Sequence, residues 1–468
     1  MSFDRLLEDL EGSSKILDFR FENSDIPMYL IIRSLLLQTI INKDFNLSSS
    51  HVDKKKSFIG ILKYIFYTIK SNLFLAPKKD VIIFSSGIVN VVEDGKYINR
   101  LYDSFNSLYP EKTQIIESST KMSYLLPKKE KIYFKDLIDI LIILGSKFIR
   151  IKRNDRLNID KLIEYIKNSP NINCDELTYE GLKTMLLKMS KQLNLAIYLY
   201  KFFLKMKKPK IIILENAHYG GRYIPLIIAA KELGIKTAEY QHGYVGLTHY
   251  AYNYAQNIFN FIEQYLPEYL LTHGKYWSDR IRTPSHKIEI GLPSLSLRIN
   301  NLQISNTDSK RILFISGGTV YQQLNQFIEL IVDDLTILGY ELILRPHPSE
   351  MPMFEQRYGN LIQKGVVLDT KALYETLKNM PIVVGMEIST VLFEAVCFTN
   401  RVYLVDNDYT RFCEPKIGFL TFANKNDLIE SIKKDYSMGI DVNYFWDSNW
   451  KENYKNFIEK IIGISNAK

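Results

Sequence analysis

Short apolar runs that stop in loops of glycine, serine and histidine recur along this chain, with helical stretches between them. In the first half they read PKKDVIIFSSG (77–87), KIIILENAHYGG (210–221), IKTAEYQHG (235–243), PEYLLTHG (267–274) and KIEIGLP (287–293). In the second half they read RILFISGG (311–318), ELILRP (341–346), GVVLD (365–369), PIVVG (381–385) and RVYLV (401–405). Each run is too short for a helix; VIIF and IIIL are apolar on both faces, the mark of a strand buried on two sides, whereas IKTAEY and KIEI alternate with polar residues. RYIPLIIAAKELG (222–234) and YQQLNQFIELIVDDLTILG (321–339) carry helical spacing between such runs. Strands joined through helices must be parallel, with helices covering both faces of the sheet.

The polar stretch RINNLQISNTDSK (298–310) separates the two series, and 468 residues exceed one ordinary core. The expected fold class is α/β: two Rossmann-like doubly wound domains facing a cleft, with a helical region over residues 1–75. The expected domains are 1–300, holding the acceptor, and 305–445, holding the donor. A last helix within 446–468 is expected to cross back to the first domain. A hydrophobic fraction of 46% supplies such cores and excludes global disorder.

Several classes are disfavoured. Cys174, Cys397 and Cys413 are scattered, so neither a metal spacing nor a disulfide framework arises, and a reduced cytoplasmic setting is expected. MSFDRLLEDLEGSSK has acids and no apolar core, unlike a secretory signal. The net charge of +8, with Lys54–Lys56 and KMKKPK (205–210), is moderate for this length, and no nucleic-acid module accompanies it. FKDLIDILIILGSKFIRIKR (134–153) reads either as a helix partly buried in the domain or as one lying on a membrane surface.

In open parallel sheets ligands bind beyond the carboxyl ends of the strands, so the loops there carry the search. In LRPHP, His347 stands between two prolines that restrict the backbone on either side. Its imidazole can donate to a phosphate or protonate a leaving oxygen, and Arg345 can add a guanidinium. In MEISTVLFEA, Ser389 and Thr390 open a helix, a place for phosphate oxygens or simply a cap. Glu394, one turn on, can accept from ribose hydroxyls or brace that helix. Gly317, Gly318 and Thr319 of SGGT allow close backbone approach to a donor, or make a tight turn. They form neither a Walker loop nor a dinucleotide fingerprint. In the first half, Glu215, His218, Gln241 and His242 can surround an acceptor hydroxyl. EDG (93–95) offers Asp94 as a base or a plain turn. DND (406–408) offers a metal-binding D-x-D or a turn. No G-x-S-x-G is present.

The succession ENAHYGGR, AAKELGIKTAEYQHG, YLLTHGKYW, IGLP, LRPHP and STVLFEA resembles GT-B glycosyltransferases of bacterial capsule and lipopolysaccharide assembly. The RPHP and ST pair is similar to that of bacterial sialyltransferases and their capsule relatives. The resemblance implies that His347, Ser389 and Thr390 contact the donor phosphate. It also implies that Asp94, matching the acidic base motif though earlier in the chain, takes the acceptor's proton; Glu215 and His242 remain rival bases. No metal and no cofactor are implied.

The expected function is transfer of a sugar from a nucleotide-activated donor, a CMP-linked acid sugar in the first instance, to a surface-polysaccharide or lipid-linked acceptor, with inversion. A UDP- or GDP-sugar transferase, a CDP-glycerol glycerophosphotransferase, a nucleotide-sugar epimerase and a non-catalytic glycan-assembly factor are the rivals. The expected setting is cytoplasmic, with a peripheral position at the inner face of the cell membrane as one variant.

Overall fold

The computed structural model describes residues 2–47, 57–299, 310–413 and 418–463. The strands are β1 (Val81–Ser86), β2 (Asn90–Glu93), β3 (Lys96–Asn99), β4 (Thr113–Ser118), β5 (Tyr133–Phe134), β6 (Ile211–Leu214), β7 (Lys236–Tyr240), β8 (Tyr269–Thr272) and β9 (His286–Glu289). The second series is β10 (Arg311–Ile315), β11 (Glu341–Arg345), β12 (Val367–Leu368), β13 (Ile382–Gly385), β14 (Val402–Val405) and β15 (Leu420–Phe422).

They build two parallel sheets, ordered β5-β4-β1-β6-β7-β8-β9 and β12-β11-β10-β13-β14-β15. Counted within each sheet, both begin 3-2-1-4-5-6, the doubly wound order. Each chain path therefore reverses direction beside its first strand, between β1 and β6 and between β10 and β13. The hairpin β2–β3 is antiparallel and stands apart from both sheets.

The period-two rule sorts the side chains. Val81 and Ile83 of β1 face one core, and Ile82 and Phe84 face another on the opposite side of the sheet. Likewise Leu313 and Ile315 of β10 join the first of these cores, whereas Ile312 and Phe314 face a third. One hydrophobic cluster thus runs from the first sheet into the second. The last helix, Trp450–Ile462, packs in it through Trp450, Tyr454, Phe457 and Ile458, with Tyr454 stacked on Phe105 at 4.2 Å. Gly291 permits this crossing. Its φ of +101° is a left-handed setting, and a Cβ there would lie 2.2 Å from the Asp447 carbonyl oxygen.

Several elements differ from the reading of the sequence. The stretch 134–153 is not one helix: Phe134 ends β5, and helices Asp136–Ser146 and Arg153–Lys167 are separate. RVYLV is not the last strand, because β15 follows it. TQIIES (113–118) is a central strand that its polar residues conceal. The buried Gln114 hydrogen-bonds to backbone carbonyls, and Glu117 is paired with Lys128 at 2.7 Å.

Candidate active site

The carboxyl ends of the two sheets meet. The loop after β7 touches the helix after β13: the Tyr244 amide donates to Thr390 Oγ1 at 2.7 Å, and Tyr244 stacks on Phe393. The Phe445–Asp447 segment closes one side, with the Trp446 indole donating to the Phe393 carbonyl at 2.9 Å. The two carboxyl edges therefore touch along a seam in which Tyr244, Phe393 and Trp446 pack together.

Each direction-reversal point carries a buried glutamate that organises the loop after the first strand. Glu215 accepts from Ser85 Oγ at 2.9 Å, from the Ser86 amide at 2.9 Å and from Ser86 Oγ at 2.6 Å. Glu387 accepts from the Gly317 amide at 2.9 Å and also holds the Thr319 hydroxyl. Burial raises both carboxyl pKa values, and the donors oppose the rise. A Cβ on Gly317 would lie 2.7 Å from the Glu387 carboxyl carbon, so this glycine admits the carboxylate. Gly318 adopts φ +90° beside His347 and Glu350.

His347 lies at the carboxyl end of β11. Glu350 fixes the turn: its carboxylate accepts the His347 amide at 2.8 Å, the Arg357 guanidinium at 2.9 Å and the Tyr358 hydroxyl at 2.9 Å. The Ser349 amide donates to His347 Nδ1 at 3.2 Å, which assigns the ring proton to Nε2. The ring is open to solvent on one side; the protein packed around the rest lowers its pKa, with Glu350 opposing. At neutral pH this ring is an uncharged donor. Arg345 turns away toward β12, where it pairs with Asp369 and reaches the Lys371 carbonyl at 3.0 Å.

His242 has the opposite arrangement. Tyr252 donates its hydroxyl proton to the buried Glu239 at 2.5 Å, so its oxygen is left to accept from His242 Nδ1 at 3.4 Å. That assignment leaves Nε2 of His242 as a free base. Burial first, with Arg100 adding to it against Glu239, pushes the His242 pKa down to about 4.

The other first-sheet residues are spoken for. His218 is fully buried, pairs with Glu239 through Nδ1, and has Thr283 and Ser285 hydroxyls 3.1 Å from Nε2. Gln241 spans the Gly243 carbonyl and the His273 amide. Asp94 occupies the exposed tip of the β2–β3 hairpin with φ +49°. Asp406 and Asp408 both bond Arg411, and no cluster of metal-ligating side chains occurs among the described residues.

The seam also holds polar groups without partners. Both ring nitrogens of His273 are buried and unbonded, as are Ser389 Oγ and Glu394 Oε2. The Tyr374 hydroxyl lies alongside Glu394 without hydrogen-bond geometry. Native proteins rarely leave buried polar atoms unpaired, and a cluster of them marks a place built for something else to bind. Arg100, just after β3, completes the set: its guanidinium has no hydrogen bond or ion pair among the described residues. It is close enough to depress the pKa of His242 and His273 and to oppose the burial that raises that of Glu394. The sequence points to the THG loop that holds His273 without giving that residue a role, and it does not point to Arg100. An arginine after a hairpin is commonplace, and only the fold carries it to the seam.

Burial pushes the pKa values of His249 and His273 down to about 3, alongside about 4 for His242. The unfolded chain binds these protons near pH 6.5 and the folded chain resists them. Their stabilising contribution is therefore full above about pH 6.5 and is lost as the pH falls toward the folded values, at up to about 1.4 kcal/mol per pH unit for each histidine. Urea titrations at pH 7 and pH 5 should show a loss at the lower value, offset in part by Asp103, whose burial pushes its carboxyl up to about 6 so that the folded chain takes up that proton first. A midpoint that rises at pH 5 would mean that these rings are hydrated.

No protein-family model matches the chain, and no curated protein matches it. Among solved structures it is similar to UDP-GlcNAc 2-epimerase from Methanocaldococcus jannaschii, at 11% identity and TM-score 0.44, over 82% of this chain and 99% of that one. It is similar to MurG of Acinetobacter baumannii, at 10% identity and TM-score 0.41, over 82% and 100%. It is also similar to a putative UDP-N-acetylglucosamine 2-epimerase from Listeria monocytogenes, at 12% identity and TM-score 0.45, over 84% and 99%. Likeness at this level assigns no activity. What the strand orders and the meeting of the two carboxyl edges establish directly is a GT-B-like architecture of two doubly wound sheets facing a cleft.

Proposed function

We propose that the chain is a glycosyltransferase that takes its sugar from a nucleotide-activated donor bound in the seam. One observation carries the reading: the Arg100 guanidinium, Ser389 Oγ, Glu394 Oε2 and the His273 nitrogens, all unpaired among the described residues, stand where the two carboxyl edges meet. A cation beside unpaired donors and acceptors fits a ligand that is both anionic and rich in hydroxyls, as a phosphorylated sugar is.

In this reading Arg100, Ser389 and His347 Nε2–H contact the donor's phosphate oxygens. The transition state places growing negative charge on the leaving phosphate, and fixed donors stabilise it. Thr390 holds the Tyr244 amide and keeps the two sides together; a donor could share its oxygen. Gly317, Gly318 and Thr319 shape the donor loop through Glu387, while Arg345 braces the same edge. Glu394 accepts from a sugar or ribose hydroxyl. Neutral His242 takes the acceptor's proton at Nε2, and the Tyr252–Glu239 pair stabilises the imidazolium that forms. Its free lone pair favours it as base over Glu215, whose oxygens are engaged, and over Asp94 at the hairpin tip. His218 and Gln241 support the acceptor side from beneath. One displacement by this route inverts the anomeric centre. A CMP-linked acid sugar is the donor proposed from the RPHP and ST pair, and a surface glycan or lipid-linked sugar is the acceptor.

Calorimetric titration with CMP, CDP, UDP and GDP tests the reading. One nucleotide should bind selectively, and Arg100→Ala should weaken it by about 10- to 100-fold, the loss of a charge-assisted bond. Preference for CMP supports the acid-sugar donor; preference for UDP or GDP replaces it; preference for CDP points to glycerophosphate transfer. Folded protein that binds none of the four would overturn the assignment.

A further inference from the structure

Helix Phe58–Lys70 (FIGILKYIFYTIK) is built inside out for a soluble surface. Only Tyr64 and Thr68 of it are buried. They attach it to the body by polar contacts: Tyr64 donates to Asp136 at 3.2 Å, and Thr68 meets the Tyr124 hydroxyl at 2.7 Å. Its large apolar side chains face outward. Phe58, Ile59, Leu62, Ile65, Phe66 and Ile69 are each between 44% and 74% exposed. An isolated exposed leucine needs no explanation, but six on one helix of thirteen residues do.

The neighbouring surface continues the theme. Helix Asp136–Ser146 packs beside this one and exposes Leu141 and Leu144, and Phe148 just beyond it is 90% exposed. The charge is mostly of one sign: Asp139 on the neighbouring helix is half-exposed and pairs with Lys135 at 3.0 Å. Residues 57–79 contain four lysines and no Asp or Glu, and KFIRIKR (147–153) contains four cations and no acid. Lys79 and Lys152 pair with acids elsewhere, and the other cations are exposed.

We infer that this face docks on an anionic lipid surface, with Phe58–Lys70 lying in the plane of the interface. Apolar side chains flanked by cations, with Asp139 paired to Lys135, complement anionic headgroups over acyl chains. A second copy of the chain is a poor occupant, because a two-fold contact sets the same lysines against themselves. The helix is too short to span a bilayer, and no described helix is long and apolar enough to do so. The inference does not rest on the transferase reading.

Vesicle co-sedimentation tests it. Wild-type protein should pellet with vesicles of equal parts phosphatidylcholine and phosphatidylglycerol, and salt should weaken this. Pure phosphatidylcholine should bind less. Phe58→Ser with Phe66→Ser should lower binding about tenfold or more, since two aromatic side chains no longer enter the interface. Lys63→Glu with Lys70→Glu should abolish the preference for anionic vesicles. These positions are exposed, so both variants should fold, and unchanged nucleotide titration and melting would verify it. Wild-type protein that stays in the supernatant with both vesicle types overturns the inference. So does a wild-type dimer in sedimentation velocity that Phe58→Ser with Phe66→Ser dissociates, without vesicle binding.

Discussion

Replacing His242 by glutamine is expected to lower kcat by about a hundred- to ten-thousandfold, the usual worth of a positioned general base. Nucleotide affinity should be nearly unchanged, because His242 faces the acceptor in the proposed mechanism. The pH profile separates this role from a structural one. His242 has its pKa pushed down to about 4, so its basic form persists at pH 5. A histidine of ordinary pKa, near 6.5, would by then be mostly protonated. Wild-type kcat should therefore stay flat from pH 7 to pH 5. Tyr252→Phe should reduce kcat by a smaller factor, since it cuts the link to Glu239 but leaves the base. An acid limb near pH 6.5, or a glutamine variant with a third of the wild-type kcat, would remove His242 from the role and return Asp94 and Glu215 to consideration.

The second large effect is on stability. Arg33→Met is expected to cost about 3–5 kcal/mol, as breaking a buried ion pair does. Arg33 and Glu11 are both fully buried and meet at 2.6 Å. The guanidinium also donates to the Tyr250 carbonyl at 2.5 Å and the Asn253 carbonyl at 2.6 Å, and lies 3.9 Å from the Tyr254 ring centroid. Glu11 accepts further bonds from Tyr29 and from the Ala255 amide. One pair thus ties helices Phe3–Glu11 and Met28–Asp44 to the loop after His249, next to the seam. Removing the cation leaves Glu11 charged, buried and underpaired. Urea unfolding measures the loss, and limited proteolysis should show cleavage among the first residues before global unfolding. A change under about 1 kcal/mol would mean that water reaches the pair, as it does surface pairs.

The two mutants act on different levels of the same construction. Arg33 holds a loop, and that loop carries His249 and Tyr252. Tyr252 in turn orients His242. A variant at Arg33 should therefore also lose activity, but through a lower folded fraction and a looser loop rather than through the proton transfer itself. Comparing kcat per folded molecule in the two variants separates these causes.

Much of this architecture is written in local pattern. Apolar runs of four to six residues such as IIIL (211–214) and IVVG (382–385) can only be strands buried on both faces. Their alternation with helices demands parallel order, and that order puts the loops of interest along the carboxyl edges. So the loops holding His242, His347, Ser389 and Glu394 are legible before any coordinates, and so is the pairing of two sheets.

Pattern fails where partners are distant in the chain. TQIIES is a central strand because Glu117 finds Lys128 and Gln114 finds backbone, and no local rule contains those partners. Helix Phe58–Lys70 has the spacing of a core helix, yet its apolar side faces out, because its anchors are Asp136 and Tyr124. The same holds for the histidines. His218, His242 and His347 are alike in the sequence. One is locked to Glu239, one keeps a free nitrogen behind Tyr252, and one has its proton placed by Ser349. Hydrogen-bond partners choose among tautomers and burial sets the pKa, and both are properties of the packed molecule. By itself the sequence determined the apolar strands, their parallel order and the edge at which chemistry can occur. The tertiary structure alone decided which polar groups meet at that edge, since it brings Arg100, His273 and Glu394 from far apart in the chain and leaves the Arg100 guanidinium, the His273 ring and Glu394 Oε2 unpaired among the described residues.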